Sequence, residues 1–381
     1  MSLPPPRVFR FGQGRFDHDL FGPLPPPFPV PPGGLVPLNP DAPWRDGPMT
    51  SEVTIMLPGE SRPVTVSTSG VNLAWQVEGQ SAFSCECATA ELRAIFADVD
   101  LRGRWLRWEH PTLGVWAGRI NDVEADGDTA TTEIAALDYS DLLSSRRLVK
   151  DYRVTAAPAG ALAKRVVRDA AREAGGYSWI TEIVAEETGD PISLEVRGGK
   201  VDDALRTIAD RANETWWVDE HRVMHWSRRR GHDLTGRVQL VEGRHVSALR
   251  YSLALGPIVN DLLAVPGDDA YAQAEQFVID DDASIRRVGR RQDQISYTGM
   301  VTAATIRPLA KRDLARLVAL GDTVRFDLIN VDGCYAWFRE GDSVYLLAPS
   351  LNRRLQVRVL VRSFDSDQAR LTVSADVEAV A

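Results

Sequence analysis

Cysteine is scarce in this 381-residue chain: there are three, Cys85, Cys87 and Cys334. An odd count, with two of them one residue apart on a strand-like stretch, argues against a disulfide framework. Alternate strand residues share a face, so Cys85 and Cys87 could supply two metal ligands. A cysteine-only site needs four thiolates, and three are present. We read them as buried, inert thiols. No run of about 18 apolar residues occurs, so no membrane-spanning helix is expected. The N-terminus lacks the basic-then-apolar pattern of a signal peptide, and Sec export is not expected. Positive charge is in deficit as well. The 44 Lys and Arg against 53 Asp and Glu leave a net charge of −9, a poor match to tight nucleic-acid binding, which Lys and Arg drive by neutralising phosphates. The clusters Arg228-Arg229-Arg230 and Arg286-Arg287…Arg290-Arg291 are balanced by nearby acidic runs such as Asp280-Asp281-Asp282, and read as solvated or interfacial charge.

Catalytic signatures are missing too. His221 and His225 are four apart, but the segment His221-Arg222-Val223-Met224-His225 lacks the glutamate of HExxH and reads as a strand rather than a helix. There is no P-loop, no GxSxG and no GxGxxG. The acids offer many accidental carboxylate pairs, and nothing marks one as a glycosidase pair. No catalytic, cofactor-binding or metal-binding residue is therefore expected, and the chain is not expected to be an enzyme. A cell-wall-binding or cell-wall-hydrolysing protein is the competing reading. Trp179, Trp216, Trp217 and Trp226 would form its sugar platform, although clustered tryptophans more often serve cores or interfaces.

Proline is distributed unevenly. Residues 1–48 hold 14 of the 23 prolines, with Phe9, Phe11, Phe16, Phe21, Phe28 and Trp44 among them. Such a segment tends toward extended polyproline II. Its aromatics suggest an arm that docks on a neighbouring subunit or protein, rather than a plain linker. Residues 49–148 look mostly β: Val53–Leu57, Val64–Val66, Val71–Val77, Ala82–Cys87, a short helix from Thr89 to Ala97, then Trp105–Glu109, Val115–Val123 and Thr129–Leu137 around an Asp126-Gly127-Asp128 turn. Residues 149–235 change character. Ala159–Ala174 reads as an amphipathic helix with Leu162, Val166, Val167, Ala170 and Ala174 inward, stopped by Gly175-Gly176. Val201–Asn213 is a second helix, and Thr215–Val218 with Arg222–Trp226 reads as a hairpin.

The stretch Val238–Pro266 reads as two strands broken at Gly256-Pro257, the first alternating Leu249, Tyr251, Leu253 and Leu255 onto one buried face. There the chain leaves an inserted unit and returns to a β framework. Residues 267–296 read as an acidic-basic loop region. A helix follows, with Pro308 in its first turn and Gly321 at its end. In the last strands Leu355, Val357, Val359 and Val361 alternate against Gln356, Arg358, Leu360 and Arg362. The chain thus divides into an extended arm (1–48), a first β module (49–148), an inserted α/β domain (149–235), and return strands with a second β module (236–381). The fold class is mainly β, α+β.

Trp105–Leu137 and Val344–Val373 share a pattern of strand, proline turn, strand, acidic turn, strand. Residue identities barely match, so two unrelated β-meanders are the alternative to an internal repeat. A genuine repeat would give two similar β-barrel modules, and a threefold oligomer would then present six near-equivalent units.

The segment LRWEHPTLGVWAGRINDVEADGDTATTEIAALDYSDLLSSRRL, the block ALRYSLALGPIVNDLLAVPG and the closing GDSVYLLAPSLNRRLQVRVLVRSFDSDQARLTVSADVEAV together resemble the tail-hub, or baseplate-hub, proteins of tailed bacteriophages. AGALAKRVVRDAAREAG and KVDDALRTIADRANETWWVDEHRVMHW look like that family's inserted domain. The likeness spans roughly residues 50–380 and lies in element order rather than in an invariant motif. It implies a homotrimeric, pseudo-sixfold ring of barrel modules at the tail tip or baseplate of the virion. Such a ring adapts a sixfold tail tube to a threefold central fibre or spike. The implied partners are tube, fibre or spike, and tape-measure proteins. DNA would pass through the lumen without sequence-specific binding, and no catalytic residues or cofactors are implied. The hub of a contractile injection system or gene transfer agent is the neighbouring possibility. An acidic lumen would let DNA slide.

Overall fold

The computed structural model describes residues 51–380 apart from 57–62, 97–98, 126–129, 174–179, 181, 187–190, 254–257, 267–275, 298–302 and 320–321. The Pro-rich arm, the Asp126-Gly127-Asp128 turn, the Gly175-Gly176 stop, Trp179, the Gly256-Pro257 break and Gly321 lie outside the described residues.

The first module contains β1 (Ser51–Met56), β2 (Val64–Gln76), β3 (Ala82–Ala88), α1 (Thr89–Phe96), β4 (Trp105–His110), β5 (Gly114–Ala125) and β6 (Thr131–Asp138). Strand β1 pairs with both β2 and β4. The path β1-β4-β5-β6-β3-β2 therefore returns to its start as a closed, antiparallel six-strand barrel. Period-2 alternation sends Val53, Ile55, Leu106, Trp108, Ile120 and Ile134 inward. Phe83 stacks on Trp116 at 5.0 Å in the middle. The two strands expected over Val64–Val66 and Val71–Val77 are one, β2. Its pairing with β3 shifts between Ser69 and Asn72, a bulge that Gly70 permits with φ of 57°.

The inserted segment runs α2 (Asp141–Ser144), β7 (Tyr152–Ala157), α3 (Ala159–Glu173), β8 (Glu182–Ala185), β9 (Ile192–Val196), α4 (Val201–Ala212), β10 (Thr215–Val218) and β11 (Val223–Ser227). Leu162, Val166, Val167 and Ala170 of α3 share a buried core with Val201, Leu205, Ile208 and Ala209 of α4. Asn213 caps α4 in the left-handed region. The expected hairpin is β10–β11, and β8 adds to it in parallel.

After β12 (Gln239–Val241) and β13 (Val246–Leu253) the chain rejoins the large sheet. It then departs again through β14 (Asp261–Pro266), β15 (Phe277–Asp280), α5 (Asp282–Val288), β16 (Gln292–Tyr297) and α6 (Ala303–Ala319). This corrects two expectations. Strand β14 does not return to the β framework; it is the centre of a separate sheet, β15-β14-β16. The stretch read as loop contains two strands and a helix, closed against α6 by Leu262, Ala264, Tyr297, Ile306, Ala310 and Leu314. Pro308 lies inside α6 rather than in its first turn.

The last strands are β17 (Asp322–Leu328), β18 (Ser343–Ala348), β19 (Arg353–Asp365) and β20 (Arg370–Val380). With β12 and β13 they follow the path β12-β18-β19-β20-β17-β13. Replacing each strand by its counterpart in chain order gives the path of the first barrel. The short α1 between β3 and β4 is matched by a 3₁₀ turn, Val331–Ala336, between β17 and β18. The second path is not closed by a strand pair among the described residues. Its β12 runs parallel to β18, and its ends meet at one bridge, Glu242 to Val246. The chain is thus mainly β, α+β, with one closed six-strand barrel. No helix among the described residues is long and apolar enough to cross a membrane.

Candidate functional surface

Strand β2 joins the two modules. Its first half pairs with β1, and its second half pairs with β19, from Gln76 opposite Val361 to Asn72 opposite Asp365. The result is a continuous sheet, β13-β17-β20-β19-β2-β3-β6-β5. At this seam the alternation in β19 breaks. Leu355, Val357 and Val359 are buried as expected, but the pairing with β20 shifts between Val359 and Val361. One inserted residue moves the following side chains to the opposite face. Val361 is therefore only half-buried, and Arg362, expected outward, is 2% exposed in the core.

The buried charge is paired. Arg362 donates from Nη2 to Glu340 Oε2 (3.3 Å) and from Nη1 to the Phe338 carbonyl (3.1 Å), with its guanidinium 4.7 Å over the Trp75 ring. Arg230, just past the inserted domain, donates to Glu340 Oε1 (2.5 Å) and to the Gln76 carbonyl (2.7 Å). Burial alone would raise the Glu340 pKa, but the Arg230 and Arg362 guanidiniums outweigh it and hold it below the ordinary value. Glu340 thus ties β2, β19 and the exit of the inserted domain together. Gly231 and Gly341 cross beside it. A Cβ on Gly231 would fall 2.1 Å from the Gly341 carbonyl carbon, so neither position has room for a side chain. No sequence signal marked this triad, because only the bulge turns Arg362 inward.

The sheet ends in two edges. On β13 the residues equivalent to Val71, Leu73 and Trp75 of β2 are Leu249, Tyr251 and Leu253. Trp75 is 6% exposed under β19, whereas Leu253 is 64% exposed with no strand beyond it among the described residues. At the other end β5 outruns β4: the last pair is Arg119 with Trp105, and Asp122–Ala125 continue on that side without a partner strand among the described residues. The Val123 amide is taken instead by the Asp122 carboxylate at 2.9 Å. The polar face of the sheet is divided by charge. Glu124, Glu133 and Glu86 lie in one row across β5, β6 and β3, like charges directly opposite one another. Arg250 and Arg325 lie opposite each other at the β13 edge.

The other residues singled out from the sequence are scattered. Cys85 and Cys87 are buried on one face of β3 with sulfurs 3.9 Å apart. The contact with Cys87 and burial together raise the Cys85 thiol pKa. Cys334 is buried elsewhere and donates to the Ile329 carbonyl. His225 bonds Asp219 (2.9 Å) and stacks on Trp217 (5.0 Å), while His221 is exposed. Trp226 is buried and donates to Glu214, and Trp216 packs on the core of the inserted segment, so neither offers an open platform. The arginine clusters have partners within the chain. Arg229 reaches Glu378, Arg230 reaches Glu340, and Arg290 reaches Asp261.

No family model and no curated protein sequence matches this chain. Solved structures do. The 43 kDa tail protein of prophage MuSo2 from Shewanella oneidensis aligns with TM-score 0.64 at 15% identity, over 86% of this chain and 99% of that one. The chain shares its fold with prophage tail proteins. The tail protein of Neisseria meningitidis MC58 gives TM-score 0.64 at 13% identity, covering 86% and 96%. Prophage tail protein gp18 of Listeria monocytogenes EGD-e gives 0.60 at 8% identity, covering 86% and 95%. The shared fold therefore extends over nearly the whole length of these chains.

Proposed function

We propose that this chain is a structural hub of a phage tail tip or baseplate. Three copies form a ring of six similar modules around a channel, adapting a sixfold tail tube to a threefold fibre or spike. The observation that carries this reading is the repeated strand order, with both modules joined through β2 and β19 in one sheet. A chain with two equivalent modules and a free edge at each end of their shared sheet is suited to propagate around a ring. The polar face of that sheet would line the channel. Its row of facing glutamates, Glu124, Glu133 and Glu86, is unfavourable for the isolated chain and suits a surface along which DNA slides. Tube, tape-measure and fibre or spike proteins are the partners in this reading. Electron microscopy of the purified protein and of the assembled particle tests it. The expected result is a threefold ring with six similar lobes around a channel, and a particle with no ring in either setting would overturn it.

A further inference from the structure

The two modules share more than strand order. The β2–β3 pairing skips between Ser69/Asn72 and Glu86/Ser84; the β13–β17 pairing skips between Ser247/Arg250 and Asp327/Arg325. The residue after the last regular pair has positive φ in both, 57° at Gly70 and 49° at Ala248. Likewise the β5–β6 pairing shifts between Ile120 and Asp122, and the β19–β20 pairing between Val359 and Val361. These bulges fix a residue-by-residue equivalence: Asn72 with Arg250 and Trp75 with Leu253 on one pair of strands, Val361 with Asp122 and Arg362 with Val123 on the other.

Within the chain, β2 and β19 pair with each other at the seam. Their counterparts β13 and β5 are the two edges left free among the described residues. We infer that β13 of one copy pairs antiparallel with β5 of the next copy, in the register of the internal seam. Arg362 opposite Trp75, Ser363 opposite Ala74 and Phe364 opposite Leu73 translate to Val123 opposite Leu253, Glu124 opposite Ser252 and Ala125 opposite Tyr251. Two further observations favour a second copy as the occupant. Leu253 is exposed where its counterpart Trp75 is covered. The β5 edge carries Asp122 and Glu124, and the β13 edge carries Arg250 beside Arg325, so the joined edges have opposite charge. Internal and external seams would then alternate around the ring. The contact is heterologous, the type that closes when its rotation fits. This inference rests on the ring reading above and specifies its joint.

Paired cysteines in the full-length chain test it. The Val77 amide bonds the Leu360 carbonyl at the internal seam. Counting alternately from there makes Ser363–Ala74, and hence Glu124–Ser252, a pair without mutual backbone bonds, where Cα atoms lie about 4.5 Å apart. That separation is within disulfide range. The double variant Glu124→Cys/Ser252→Cys should, on mild oxidation, shift from one-chain to three-chain mass on a non-reducing gel. The offset variant Glu124→Cys/Arg250→Cys, with partners about 7–8 Å apart, should remain at one-chain mass, as should the unsubstituted chain with its buried cysteines. Sedimentation of the unoxidised chains separates the two claims. A trimer that links in the offset pair, or in neither, overturns this register and leaves the ring reading standing. Chains that stay monomeric at every concentration and do not link overturn both.

Discussion

The internal seam and the two free edges are the same piece of architecture in two states. At the seam, Val71, Leu73 and Trp75 are covered by β19, and Arg362 is buried with its two terminal nitrogens bonded to Glu340 and to two carbonyls. At the β13 edge, Leu249, Tyr251 and Leu253 follow the same alternation on the same bulge, yet Leu249 and Tyr251 are only partly buried and Leu253 lies open. The side-chain pattern therefore does not decide burial; the neighbouring strand does. An apolar residue without a strand beyond it is an edge liability that a correct partner removes.

Four measurements would break or sharpen this contrast. The largest effect is expected at the seam charge. Glu340→Ala strands Arg362 in the core and should cost about 3–5 kcal/mol in denaturant unfolding of the intact chain. A loss below about 1 kcal/mol would mean that the triad does not hold the modules together. Trp75→Ala should likewise cost about 3–5 kcal/mol, whereas Leu253→Ala should stay within about 0.5 kcal/mol in the dispersed chain. Equal losses would erase the distinction between seam and edge.

The third measurement concerns acid. His110 is buried against Trp108 and Phe364, where Nδ1 accepts from the Thr112 and Leu113 amides and Nε2 has no partner among the described residues. Burial pushes its pKa down to about 4. The unfolded chain takes up a proton near pH 6.5, before the folded chain does. His110 therefore withdraws stability as pH falls from about 6.5 to 4, by roughly 3 kcal/mol in full. Burial lowers His245 as well, in the second module. Unfolding followed against pH should show this slope, and His110→Gln should flatten it. The smallest effect is at the bulges. Gly70→Ala should cost about 1 kcal/mol, and Ala248→Gly should gain about 1 kcal/mol, because each position needs the left-handed region. Opposite signs in paired thermal melts would support the equivalence of the two bulges.

What could be read in advance followed from period. The α3 and α4 faces and the β10–β11 hairpin carry long, clean patterns, and they appear where the apolar residues put them. The β14–β16 unit did not announce itself, because Gln292–Tyr297 is polar at most positions and Asp282–Val288 is a seven-residue helix. Among the described residues, six buried ones close that core. Arg362 departs from its expected outward face for a different reason. A single-residue bulge changes which face a strand residue takes, and an alternating sequence carries no mark of it. The free edges were legible as apolar alternation but not as edges. Whether Leu253 has a neighbour depends on strand order over more than 100 residues of chain.

The shared strand also has a consequence in time. The Val71 amide finds its acceptor in Ser366, 295 residues later. During synthesis β2 must therefore wait, with one edge of its second half unpaired, until the C-terminal strands leave the ribosome. Contacts between such distant residues form late and slowly. Until then the nascent chain carries an additional unsatisfied edge, built like β13 and open to the same complementary strand. The cell must bring copies together for assembly without letting one copy's late strands complete another copy's early barrel, an exchange to which chains of this kind are prone. Low local concentration during translation would thus favour correctly paired subunits, and abrupt overexpression should raise the fraction of entangled, strand-exchanged chains.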